Sequence, residues 1–161
     1  MIEIFKNIFI GTDQECSFNP PSDLAIIHAC KNPCHVGAVG YRGSLRSNHP
    51  NYLILENGQN LFLNMVDMDR ELSPIYTNPI MKASITFIEK HIGERKILIH
   101  CNQGMSRSPS IALLYLARIG AIPSDSYSNA VVDFQKLYPY FNPGRGIALY
   151  MNNNWDELIK I

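Results

Sequence analysis

The sequence predicts an α/β fold: a single domain over residues 1–161, with a central, mostly parallel sheet flanked by helices. Three observations predict it. Short apolar runs rich in Ile, Leu and Val recur between Gly, Pro, Asn and Asp, as buried strands do. Segments with apolar residues at helical spacing accompany the later runs, so helices and strands share the chain. The chain has 161 residues, 46% of them hydrophobic and 17% charged, which fits one domain with a sizeable core. The formal net charge is zero, so there is no global pull toward nucleic acid or an anionic membrane, and neither is expected as a partner.

The elements follow in order. Ile2 to Ile10 alternates and stops at Gly11-Thr12, as a first strand pair at the sheet's edge. Residues 13–22 are polar, with Pro20-Pro21, and read as loop. Leu24–Cys30 is a buried strand, and Lys31–Pro50 a long surface loop. His28, Cys30, Cys34 and His35 are each possible zinc ligands. No second Cys-x2-Cys or His pair completes a recognised spacing, so no metal or other cofactor is expected. Tyr52–Leu55 and Leu61–Val66 read as a hairpin around Asn57-Gly58. After Asp67-Met68-Asp69-Arg70 the chain loosens through Asn78. A helix is predicted from Pro79 to Gly93, with Pro at its start and Gly at its end. Ile97–Ile99 is a further buried strand. A helix through Ile111–Ala117 has Pro109 in its first turn and Gly120 as a left-handed stop. Ser124 is the expected N-cap of a helix over Tyr127–Leu137, with Ala130, Val131, Phe134 and Leu137 facing inward. Tyr138–Gly146 is loop, and Ile147–Ile159 a final helix carrying Trp155.

No apolar run approaches the length of a membrane span. The segment Met1–Lys6 carries an early acid and no long apolar region, so no signal peptide is expected. Four cysteines make no evident disulfide framework. A reducing cytoplasm and a monomer are the expectations.

The chemistry concentrates after the strand Ile97–Ile99, in His100-Cys101-Asn102-Gln103-Gly104-Met105-Ser106-Arg107-Ser108-Pro109. A loop curling into a helix start brings the backbone N–H groups of Asn102, Gln103, Gly104, Met105, Ser106 and Arg107 together as an anion-binding nest. The helix adds its positive N-terminal end. Arg107 adds a planar fork for two phosphate oxygens. Gly104 permits a backbone conformation that a Cβ hinders. A cysteine at the base of that cradle is favoured as thiolate. Such a device suits attack on phosphorus.

His100-Cys101-x5-Arg107-Ser108 resembles the signature loop of the cysteine-dependent phosphatases, and its filling is similar to that of the dual-specificity protein phosphatases. Asn7–Thr12 and Asn142-Pro143-Gly144 resemble two further segments of that family. Arg145 and Ala148 depart from its common pattern, where an aromatic and a glutamine are usual, and Arg145 either adds charge near the cleft or is a surface arginine. The resemblance implies a protein tyrosine phosphatase-like fold and a cysteinyl-phosphate route with Cys101 as nucleophile. It implies Ser108 as a hydrogen-bond donor to the sulfur, His100 as a support behind the loop, and a general acid on the loop after the strand that precedes a helix. Asp67 is favoured as that acid because it directly follows an apolar strand, and Asp69 is the alternative.

The loop interior carries no Lys or extra Arg, where lipid- and RNA-phosphate members of the wider superfamily often have basic residues, so the resemblance implies a phosphorylated protein over a phosphoinositide or an RNA 5′-phosphate. The compact chain implies a shallow cleft that admits phosphotyrosine and phosphoserine or phosphothreonine, and no carbohydrate module is visible for a phosphorylated glucan. A phosphate-binding module without turnover is the other class. Arg42, Arg46 and His49 either meet acidic residues of a substrate or form a solvated loop face.

Overall fold

The computed structural model describes all 161 residues. β1 (Ile2–Phe5) and β2 (Ile8–Gly11) form an antiparallel pair that turns at Asn7, whose φ is 63°. β3 (Leu24–His28), β4 (Ile54–Asn57), β5 (Asn60–Leu63) and β6 (Lys96–His100) complete a six-stranded sheet in the order β1-β2-β6-β3-β5-β4. β2, β6, β3 and β5 run parallel, and the two antiparallel partners lie at the edges.

The period of two along each strand sorts side chains onto two faces. Ala25 and Ile27 of β3, Leu61 and Leu63 of β5, and Ile97 and Ile99 of β6 enter one large core with Ile8 and Ile10 of β2. Against them pack α2 (Pro74–His91), α3 (Arg107–Arg118), α4 (Tyr127–Leu137) and α5 (Arg145–Asn153). α3 is buried from Ser108 to Ala117, lying on β6 and β2 with α2 and α4 beside it. On the opposite face Phe62 joins Cys30 and Cys34 in a small second cluster, and His28 and His100 are fully buried. Phe134 is fully buried, with its ring edge-on to Phe141 at 5.2 Å. Phe134→Ala is expected to cost about 3–5 kcal/mol in urea unfolding, and a loss below about 1 kcal/mol would contradict this packing.

Several expectations need correction. Leu137, expected to face inward, is 40% exposed at the end of α4. The second helix begins at Pro74, five residues before Pro79. Pro74 takes the first turn, where its missing N–H is not needed, and Pro79 in the second turn forgoes one bond. The Lys31–Pro50 segment is not loop throughout: a wide helical turn over Lys31–His35 leads into α1 (Val36–Val39), which Gly40 ends at φ 88°. Ser126, not Ser124, caps α4, its Oγ accepting from Asn129 N at 3.1 Å, while the Ser124 carbonyl accepts from Trp155 Nε1. The final helix is two, α5 and α6 (Trp155–Leu158), broken at Asn154. The hairpin turns at Gly58-Gln59 between the paired Asn57 and Asn60, with Gly58 at φ 61°. No helix is long and apolar enough to cross a membrane.

Candidate active site

In a sheet with parallel central strands, ligands gather beyond the carboxyl ends of those strands. β6 ends at His100, and the next residue, Cys101, is 2% exposed on the floor of a cavity of about 390 Å³. Asp67, Asn102, Gln103, Met105, Ser106, Arg107, Asn142, Pro143 and Gly144 line its walls. So the structure brings Cys101, Arg107 and Asp67 to one place from three separate elements.

The loop between β6 and α3 is held from outside. Tyr138 donates its hydroxyl to Gly104 O at 2.8 Å, Asn142 N–H donates to Met105 O at 2.9 Å, and Ala29 N–H donates to His100 O at 2.8 Å. Gly104 sits at φ 71°, and a Cβ there would come within 2.9 Å of Gly11 O. With the carbonyls thus engaged, the main-chain N–H groups of Asn102 through Ser106 donate to nothing within the protein. Donors left free around a concave loop form a nest for an anion.

Arg107 is anchored by its two terminal nitrogens. Nη1 donates to Met65 O at 3.0 Å and Nη2 to Asn102 Oδ1 at 2.8 Å, whereas Nε is buried without a partner. Asn102 is held in turn by donating to Asn32 O at 2.9 Å. Ser108 lies in the first turn of α3 and donates its hydroxyl to Cys101 Sγ at 3.2 Å. Burial holds the His100 imidazole below its usual range. Its Nδ1 faces Cys101 O at 3.4 Å, behind the loop and outside the cavity lining. Burial likewise raises the Tyr138 hydroxyl, which stays a donor to the loop.

Asp67 follows β5 by a few residues and lies against the rim. Ser106 Oγ donates to Asp67 Oδ1 at 3.2 Å while accepting from Gly144 N–H at 2.8 Å. A Cβ on Gly144 would collide with the Asp67 carboxylate, and one on Gly146 with the carbonyls of Met68 and Arg70. Asp69 lines only a shallow neighbouring depression, without Cys101 or Arg107. Arg145, Arg42 and Arg46 are exposed and His49 half-buried, and none of the four lines the cavity. Two contributors had no sequence signal. Met65 acts through a carbonyl that every residue carries, and Tyr138 reaches the loop only through the packing of α4.

Several solved structures share this fold. The chain is similar to human tyrosine phosphatase-like serine/threonine/tyrosine-interacting protein, with TM-score 0.60 and 16% identity over 99% of this chain and 97% of that one. It is similar to human DUSP28, with TM-score 0.60 and 14% identity over 99% and 98%. It is also similar to a leucine rich repeat and phosphatase domain containing protein from Entamoeba histolytica, with TM-score 0.62 and 17% identity over 98% and 92%. No family model matches the chain, and no curated protein does. The likeness is one of fold: the chain has the tyrosine phosphatase-like fold of the dual-specificity phosphatases.

Proposed function

We propose that this protein is a cysteine-dependent phosphatase that hydrolyses phosphotyrosine and phosphoserine or phosphothreonine in proteins. The observation that carries the reading is Cys101 on the floor of a cavity lined by Arg107 and by a loop whose amides are unengaged. Catalysis of phosphoryl transfer is mostly positioning and charge stabilisation, which these groups supply from the chain itself.

In the first step the Cys101 thiolate attacks phosphorus in line. The S–P bond forms, the P–O ester bond breaks, and protonated Asp67 gives its proton to the departing oxygen. The loop amides and Arg107 hold the equatorial oxygens. In the second step the Asp67 carboxylate takes a proton from water, whose oxygen attacks phosphorus. The S–P bond breaks, inorganic phosphate leaves, and the Ser108 hydroxyl stabilises the returning sulfur anion. His100 positions the loop from behind and transfers no proton to substrate.

The cavity supports Asp67 over Asp69, because only Asp67 shares a lining with the sulfur. Asp67→Asn is expected to lower kcat on a phosphothreonyl peptide by about 10²–10⁴-fold. The loss on p-nitrophenyl phosphate should be far smaller, since that leaving group needs no proton. Should Asp69→Asn show the selective loss instead, the acid is misassigned. The absence of Lys and extra Arg within Asn102–Ser106 supports a phosphoprotein over ligands bearing several phosphates. Wild type and Cys101→Ser assayed on phosphotyrosyl and phosphothreonyl peptides, a phosphoinositide and an RNA 5′-triphosphate test the substrate class. Turnover confined to the latter two would refute it.

A further inference from the structure

The face of the sheet opposite the large helices carries a second cluster of chemistry that phosphoryl transfer does not use. His28 ends β3 and His100 ends β6, and the two are paired in the parallel register, so both rings project to the same side. Cys16, just after the turn Asp13–Glu15, and Cys34, in the turn Lys31–His35, close over them. Cys16 Sγ lies 2.8 Å from Cys34 Sγ and 3.5 Å from His28 Nδ1, and Cys34 Sγ lies 3.8 Å from His100 Nε2. His100 Nε2 is 2.7 Å from His28 Nδ1, and all four atoms lie within 4.8 Å of one another.

The outer nitrogens fix which side of each ring carries its hydrogen. Asn60 donates its amide nitrogen to Phe18 O at 2.9 Å, which turns Asn60 Oδ1 toward His28 Nε2 at 2.8 Å. Nε2 of His28 is therefore the N–H, and Nδ1 bears a lone pair. Nδ1 of His100 faces the carbonyl of Cys101, which only accepts. That leaves the lone pair of His100 on Nε2, pointing at that of His28. Two lone pairs that close repel unless a cation lies between them. A proton would leave a buried positive charge, and no carboxylate hydrogen-bonds either ring. A divalent ion bound by two thiolates and two neutral imidazoles is neutral as a group, which a buried site tolerates.

We infer that Cys16, His28, Cys34 and His100 form a Cys₂His₂ site for Zn²⁺. A tetrahedral zinc with ordinary bond lengths needs its ligand atoms about 3.3–3.8 Å apart, so the S–S and N–N edges open by roughly 1 Å or less to admit it. Binding displaces the two thiol protons to solvent, with no change of oxidation state. Four protein ligands leave no open coordination position, so the ion is structural. It ties the ends of β3 and β6 to two loops directly beneath the signature loop, and the hydrogen bonds of both rings to Asn60 and Cys101 orient the ligands. The ligand set differs from the His28, Cys30, Cys34 and His35 group considered in sequence. His35 is committed to Tyr41 Oη at 2.9 Å and Asn51 O at 2.8 Å, and Cys30 lies outside the cluster.

The test measures metal in the full chain, purified with its thiols reduced and without chelator. One Zn²⁺ per chain is expected, and replacement by Co²⁺ should give tetrahedral ligand-field bands with a thiolate charge-transfer band. The double variant Cys16→Ala, Cys34→Ala should lose the metal, whereas Cys101→Ser should retain it while losing turnover, which separates this site from the phosphatase reading. Should wild type incubated with Zn²⁺ bind no stoichiometric ion, or hold Cys16 and Cys34 as a disulfide resistant to reductant, the inference falls. Zinc that survives loss of both cysteines, or a cobalt spectrum without thiolate bands, overturns it equally, and neither wild-type measurement depends on a variant folding.

Discussion

Cys101→Ser is expected to lower kcat by about 10⁴-fold or more while phosphate affinity survives. The serine hydroxyl is a far weaker nucleophile than a cysteine sulfur. The anion nest is untouched: the amides from Asn102 to Ser106 and the Arg107 guanidinium do not depend on the sulfur. Binding and chemistry therefore separate in this one variant. Calorimetry with a phosphopeptide, beside single-turnover hydrolysis of p-nitrophenyl phosphate, reads both. Residual turnover within about 10-fold of wild type would remove Cys101 from the reaction.

Arg107→Ala has the second large expected effect, and it strikes both quantities. Loss of a guanidinium that stabilises a transferring phosphoryl group lowers kcat by about 10³–10⁵-fold, and phosphate binding should weaken with it. The change also frees Met65 O and Asn102 Oδ1, which Arg107 holds at 3.0 and 2.8 Å, so some loss of stability is expected. Arg107→Lys distinguishes the two contributions. It keeps the charge but not the planar fork that holds Met65 O and Asn102 Oδ1 at once. Arg107→Lys should therefore recover less than a tenth of the wild-type rate. Full recovery would mean that charge alone suffices.

Much of the site was legible because Cys101, Gly104, Arg107 and Ser108 lie within one strand–loop–helix unit whose chemistry depends on local spacing. Asp67 was legible only to within a pair. What favours it over Asp69 is Ser106 Oγ and Gly144, which reach the site from α3's N-cap and α5's N-cap. One parallel crossover, β5 through α2 to β6, followed from apolar strands on either side of a helix, and the second edge hairpin from Asn57-Gly58. Helix ends were less legible. Pro74 and Pro79 compete for one start, and Ser124 and Ser126 for one cap, and tertiary contacts decide both. The four-residue cluster behind the loop was invisible in spacing, because Cys16 and His100 reach it from opposite ends of the fold.

β6 divides its side chains between two tasks: Ile97, Ile99 and the following Cys101 turn toward the helix layer, and His100 away from it. Deleting one residue from Lys96–His100 would therefore do more than shorten a strand. It would exchange the occupants of the two faces, sending the Cys101 sulfur to the side of the imidazoles and an imidazole to the floor of the cavity. Changes of like volume are tolerable at the apolar positions of this strand, but changes in its length are not. Its residue count places the sulfur as firmly as its packing does.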